Sequence, residues 1–234
     1  MEKKIAIIPA RSGSKGLIDK NIRMMNGKPL MSYSIIAALE SGVFDEVMVS
    51  TDSEQYAEIA RKWGASVPFL RSEATSSDTA SSWDMVREVL DHYEAEGKTF
   101  DAFCLLQPTS PLRTAQDIQD AEKLFKQAAV SVVSVCRTDH SPLSCNTLPP
   151  DCGLGSFVRP EMDVPRQKME PYYRINGAIY FVRIEAFNKN SFLYRDGSYA
   201  MIMSKERSVD IDTELDFKIA EFLMKEFEKT ERDV

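Results

Sequence analysis

Through its first 136 residues the chain sets short apolar or β-branched runs between amphipathic segments, again and again. That order constrains the fold more than anything else in the sequence. Strands separated by helices cannot pair as hairpins; they need crossovers, and crossovers build a parallel sheet with helices on its faces. Lys4 to Pro9 reads as the first strand, and Glu46 to Ser50, Ser66 to Leu70, Ala102 to Leu106 and Val130 to Cys136 as its successors. Leu30, Met31, Ile35, Ala38 and Leu39 recur at helical spacing from Pro29 to a stop at Gly42. Further helices are expected from Ser53 to Trp63, from about Thr79 to Glu96 behind the caps Ser77 and Asp78, and from Thr114 to Gln127. The fold class predicted is a doubly wound, mostly parallel α/β sheet of Rossmann-like type.

The texture changes after Cys136. Residues 137–171 hold six of the eleven prolines and show little periodicity, which predicts an excursion from the sheet. Pattern returns with strands at Gly177 to Val182, Tyr199 to Met203 and Val209 to Asp212, and a closing helix from Glu214 to Phe227. The expected organisation is therefore one α/β domain, 1–136 with 172–234, interrupted by the 137–171 excursion. The 36 acidic and 29 basic residues are spread along the chain, so there is no basic face for nucleic acid. The spacings of Cys104, Cys136, Cys145 and Cys152 match neither a CxxC pair nor a zinc pattern. No leader and no apolar run of membrane-spanning length is read, and a cytoplasmic location is expected.

A loop directly follows the first strand, in the stretch IIPARSGSKGLIDKN, where open α/β sheets bind ligands. Its glycines let backbone N–H groups approach a guest, and Arg11, Lys15 and Lys20 bring positive charge, so the natural guest is a polyphosphate. Neither GxxxxGK[ST] nor GxGxxG fits, because Gly13 and Gly16 are three apart. A tight strand-to-helix turn with solvated lysines is the other reading. Near the C-terminus, Asp210 and Asp212 stand two apart; on extended backbone both carboxylates point to one side, as two oxygen ligands of one divalent ion must. Capping of the last helix is the alternative for Asp212 alone, and it leaves Asp210 unexplained.

PARSGSKGLxxKN resembles the N-terminal signature of the acylneuraminate cytidylyltransferases, the CMP-sialic acid synthetases. The resemblance continues, in order, in STD (Ser50 to Asp52), SSDTASS (Ser76 to Ser82), LLQPTSPLR (Leu105 to Arg113), PRQ (Pro165 to Gln167), RINGAIY (Arg174 to Tyr180) and DIDTELD (Asp210 to Asp216), covering nearly the whole chain. The first loop of the related Kdo enzymes reads like STRLPGKPL, which favours the neuraminate branch. The resemblance implies transfer of CMP from CTP to the anomeric hydroxyl of N-acetylneuraminate or another nine-carbon 2-keto sugar acid, with release of pyrophosphate. Legionaminic or pseudaminic acid as acceptor, and a CTP-binding regulator without catalysis, are the alternatives.

It also implies site residues. Arg11, Lys15 and Lys20 become the catalytic cations. The nucleotide is expected over Ala10, Ser12, Gly13, Ser14, Gly16 and Asn21, with Arg71, Ser77, Asp78, Thr79, Ala80 and Ser81 on its base and ribose. Asp210 and Asp212 are assigned to Mg2+, with Asp210 as the catalytic carboxylate. Gln107, Arg166, Arg174, Tyr180, Leu193 and Tyr194 fall to the sugar, while Arg113 braces its loop. Family members dimerise through the excursion, which implies a homodimer with shared sites and Arg174 reaching the partner's sugar. One departure is Ser144, where bacterial members commonly carry a lysine after an HxPL element.

Overall fold

The computed structural model describes residues 2–13, 16–77, 79–127, 129–155, 157–158 and 170–232. Strand β1 (Lys4–Pro9) lies inside a six-stranded sheet, and so its apolar run is unbroken: Ile5, Ile7 and their neighbours Ala6 and Ile8 are all fully buried, on opposite faces. A two-residue turn at Asn26 and Gly27, both at positive φ, joins the small hairpin β2 (Met24–Met25) and β3 (Lys28–Pro29). There follow α1 (Leu30–Ser41), β4 (Glu46–Ser50), α2 (Glu54–Lys62), α3 (Glu73–Ser76), α4 (Ser82–Ala95), β5 (Ala102–Leu105), α5 (Ala115–Lys126) and β6 (Ser131–Arg137). Beyond the excursion come β7 (Tyr173–Arg183), α6 (Ile184–Lys189), β8 (Ser198–Ile202) and α7 (Glu214–Arg232).

The sheet order is β4-β1-β5-β7-β6-β8. Strands β4, β1 and β5 pair in parallel, as do β6 and β8, while β7 runs antiparallel between β5 and β6. One face is covered by a core in which Met31 and Ile35 of α1, Ala57 of α2 and Phe125 of α5 meet Ala6 and Ile8. On the other, Met85, Val86 and Val89 of α4 and Phe187 of α6 meet Ile5 and Ile7. Helices on both faces of a mostly parallel sheet are the doubly wound arrangement the alternation predicts.

Three local expectations are corrected. Ser66 makes one bridge to Met48 and no strand follows, because Pro68 has no N–H to continue a ladder. Helix α4 starts at Ser82 with Ser81 as its cap, accepting from the Asp84 N–H, so the stretch from Thr79 to Ser81 is not helical. Residues 209–212 are not a sheet strand; Ile211 makes one backbone bond, to the Thr109 carbonyl (2.9 Å). The β2–β3 hairpin and α6 were not foreseen.

Candidate active site

The strand order turns around at β1, whose neighbours β4 and β5 lie on either side of it, and a ligand crevice is expected where such a reversal occurs. There the structure has a cleft of about 690 Å³. Its walls bring together Arg11, Gly16, Lys20 and Asn21 from the first loop, Arg71, Ser77, Ala80 and Ser82 before and at the start of α4, Gln107 to Thr109 after β5, and Asp210 with Asp212. Segments about 200 residues apart thus share one wall.

The first loop is held by specific bonds. Asp52, at the carboxyl end of β4, accepts from the Ser12 N–H (2.7 Å) and the Ser12 hydroxyl (2.9 Å). The Asn21 amide donates to the Arg11 carbonyl (3.0 Å), and Tyr56 donates to Asp19 (2.9 Å), which sits at positive φ. Arg11 itself donates to the Ser76 carbonyl (3.0 Å), joining the loop to the opposite wall. Burial lowers the Arg71 guanidinium's pKa, as does the neighbouring Arg11, while Asp52 and Glu88 act the other way. Its Nε is buried without a partner, a donor such as a ligand oxygen would satisfy.

Lys20 connects the loop to the acidic wall: its ammonium donates to the Ile211 carbonyl (2.5 Å) and to Asp212 (3.1 Å). Gly16 is needed for this approach, since a Cβ there would stand 2.8 Å from the Asp212 carbonyl oxygen. Burial raises the Asp210 carboxyl's pKa and Asp212 adds to the shift, against Thr109, Lys20 and Arg174, which favour its charge. The helix-cap reading of Asp212 does not hold. Thr213 and Asp216 cap α7 reciprocally, through Asp216 N–H to the Thr213 hydroxyl (3.3 Å) and Thr213 N–H to Asp216 (2.8 Å), leaving the Asp212 side chain on the cleft.

Gln107 meets Asp210 across Gly177, whose φ of +78° and missing side chain leave room that a Cβ, at 2.7 Å from Gln107 Oε1, would fill. Tyr180 is pushed up to about 12 by burial, then by Tyr194 and Asp210, and stays a hydrogen-bond donor at neutral pH; the Trp83 ring packs edge-on against it at 5.7 Å. Tyr194 is exposed beside Phe192.

Other expected residues sit elsewhere. Ala10 is core, its N–H spent on the Ser50 carbonyl (2.9 Å). Leu193, expected in the sugar's apolar wall, is 2% exposed and packs in the core under α4. Ser12, Gly13, Thr79 and Ser81 do not line the cleft; Ser12 anchors the loop and Ser81 caps a helix. Arg174 donates to the carbonyl of Ser208 (3.0 Å) and lies within electrostatic range of Asp210 in its own chain. Arg113 is a brace, as expected: fully buried, it holds the Gln107 and Ala178 carbonyls (3.2 and 2.9 Å). The Ser144 hydroxyl is turned onto the Ser141 carbonyl (2.6 Å). Ser14, Lys15, Asp78 and Arg166 lie outside the described residues. Asp52 and Thr109 were not singled out from the sequence, although both belong to blocks quoted above.

Comparison with known proteins points one way. A family model described as cytidylyltransferase matches residues 5–227. A CMP-N,N'-diacetyllegionaminic acid synthase of Legionella pneumophila is 38% identical over 224 residues, covering 94% of this chain and 95% of its own. An N-acylneuraminate cytidylyltransferase of Streptococcus agalactiae is 40% identical over 218 residues, 92% of this chain, which spans about half (52%) of that relative's length. Among solved structures, a CMP:2-keto-3-deoxy-manno-octonic acid synthetase complexed with CTP superposes with a TM-score of 0.72 at 19% identity, over 96% of this chain and 99% of its own, a likeness of fold.

Proposed function

Since this chain belongs to the cytidylyltransferase family, we propose that it transfers CMP from CTP to the anomeric hydroxyl of a nine-carbon 2-keto sugar acid, N-acetylneuraminate or a related nonulosonic acid. The observation that carries this is the cleft itself, where a cationic, glycine-containing loop and two carboxylates line one space of about 690 Å³ together. The sugar oxygen attacks the α-phosphorus, a P–O bond forms, the bond to the β-phosphate breaks, and pyrophosphate leaves. Such an in-line displacement depends mainly on positioning and charge stabilisation. Arg11 and Lys20 stand where the triphosphate's charge would lie, joined in this reading by Lys15. Asp210 is the carboxylate placed to take the hydroxyl proton, its raised pKa moving it toward a base's working range.

Asp210 and Asp212 fit Mg2+. The ion takes one or two carboxylates, keeps waters and shares substrate phosphates. A pair is what the cleft offers; among the described residues no group of three or more His, Cys, Asp or Glu side chains gathers as a metal site. When bound, Mg2+ would neutralise phosphate charge. On the sugar side we assign Gln107, Tyr180, Tyr194 and Arg174, with Arg166 completing the carboxylate clamp. No helix of the described residues is long and apolar enough to cross a membrane; a cytoplasmic location is part of the proposal.

The test is product formation from CTP and Mg2+ with a panel of N-acetylneuraminate, N,N'-diacetyllegionaminate, pseudaminate and Kdo, read by pyrophosphate release. Turnover with at least one nonulosonic acid and little with Kdo is expected. The full-length likeness to the Legionella enzyme makes the legionaminate arm a second reading in its own right. CTP binding without release for every sugar would turn the protein into a regulator.

We further propose a homodimer built on residues 137–171. In its support, Ile175, Val135 and Ile202 stand in register across three strands, Ile175 43% and Ile202 62% exposed, with Tyr173 beside them. An apolar row of this kind is what a second copy would cover. If sites are shared, a mixed dimer of Lys15→Ala and Arg174→Ala subunits should recover activity, approaching half the native rate per mixed dimer. Mixed dimers that form and stay inactive would assign Arg174 to its own Asp210, where its bond to Ser208 already holds it.

A further inference from the structure

The carboxylate segment 209–212 belongs to no sheet strand; within the cleft it is tied by the Ile211 N–H to the Thr109 carbonyl and by the Lys20 ammonium to the Ile211 carbonyl and Asp212. Just upstream, the turn 204–208 is gripped from two sides by buried polar groups. From the sheet comes Asn176, 1% exposed. Its Oδ1 accepts from the Ser134 hydroxyl (2.6 Å) and the Ala178 N–H (3.2 Å), and its Nδ2 donates to the Ser208 hydroxyl (2.9 Å). Ser208, also 1% exposed, donates its hydroxyl hydrogen bond to the Ser204 carbonyl (2.6 Å), closing the turn. From the other side comes Asp117, 5% exposed and part of the reciprocal cap of α5, which accepts from Arg207 (2.9 Å).

We propose that the Asn176–Ser208 and Asp117–Arg207 links are positioning devices that set the geometry of Asp210 and Asp212 toward a divalent cation. None of the four side chains lines the cleft. Yet two elements that supply neither carboxylate, β7 and the N-terminus of α5, are tied to the two residues immediately before Val209. Buried amide networks have a narrow geometry, because a broken bond strands a donor without water. Asn176 uses all of its amide capacity, its Nδ2 also reaching the Met203 sulfur (3.3 Å), and an amide paired in this way transmits position and not only stability. The inference rests on the assignment of Asp210 and Asp212 to the metal.

The probe is Mn2+ binding to the whole protein in the presence of CTP, followed by loss of the free-ion electron paramagnetic resonance signal, beside CTP binding without metal and thermal melting. Loss of a partner that orients a metal ligand costs roughly 10–100-fold in metal affinity. Ser208→Ala and Arg207→Gln should each weaken Mn2+ by about tenfold, leave metal-free CTP binding within about twofold, and show Arg207→Lys close to native. Arg207 is partly exposed, so its variants test the idea even if Ser208→Ala fails to fold. If the Arg207 and Ser208 variants melt earlier but hold Mn2+ as the native protein does, the network is structural only and the proposal falls. If Asp210→Asn also leaves Mn2+ binding unchanged, it is the metal assignment that fails.

Discussion

Asp210→Asn should lower kcat by about a thousandfold, roughly 4 kcal/mol of transition-state stabilisation, while CTP binding weakens by only a few-fold. The amide keeps the shape and removes both the anionic oxygen a hard cation needs and the group proposed to take the proton. The nucleotide loop, held by Asp52 and Asn21, is untouched by the change. Stability should not fall with activity. In the fold, burial and Asp212 raise the pKa of Asp210, so its ionised form opposes folding once the pH passes the ordinary carboxylate value. At neutral pH the uncharged amide removes that cost, and the variant should melt at or above the native temperature. Steady-state kinetics across a Mg2+ titration, with a melting curve on the same sample, give the answer. Turnover within tenfold of native and an unaltered Mg2+ dependence would return Asp210 to a structural role.

The second large effect is expected at Lys20. Replacing it with Met keeps most of the stem and deletes the ammonium that bridges the Ile211 carbonyl and Asp212. Removing one positioned cation from a charge-stabilising site costs on the order of 3 kcal/mol, about a hundredfold in kcat/KM. The folded state loses little by comparison, about 1 kcal/mol for the carbonyl bond. Because the same ammonium favours the charged form of Asp210 and lies against Asp212, the loss should be partly recovered by raising Mg2+. Near-native kcat/KM at limiting Mg2+ would show that Lys20 is a tether for the segment and not part of the charge field.

The parts of the fold legible in the sequence were those where burial dictates the residues. The largely apolar strands β1, β5 and β6 announce a sheet covered on both faces, and the helices read as starting at Ser53 and Thr114 have those two residues as their caps. The antiparallel course of β7 was not legible, since an apolar run carries no sign of its direction. Nor was the start of α4: Ser77, Asp78 and Ser81 are all competent caps, and the choice falls to the loop that shapes the cleft. In the site, charged residues could be recognised by type, but the neutral groups that orient them could not. Asn176 in a strand pattern looks like any polar interruption until Ser134 and Ser208 are seen on either side of it. Leu193 misled for the opposite reason, because an apolar residue between two aromatics suits a pocket wall and a core equally.

The antiparallel pairing of β6 with β7 has a consequence for how such a chain can diverge. The excursion leaves on one strand and returns on its immediate neighbour, with Arg137 opposite Tyr173 and the Thr138 N–H bonded to the Tyr172 carbonyl (2.9 Å). Its two ends are thus stapled together before anything it contains matters to the sheet. For a connection already closed in this way, doubling the length costs only about 0.6 kcal/mol of chain entropy. Insertions, deletions or wholesale exchange of residues between 138 and 172 can accumulate without moving the cleft residues. The segment on which the proposed dimer is built is thereby free to drift, so that new pairings between copies could be tried by evolution while the cleft stays fixed.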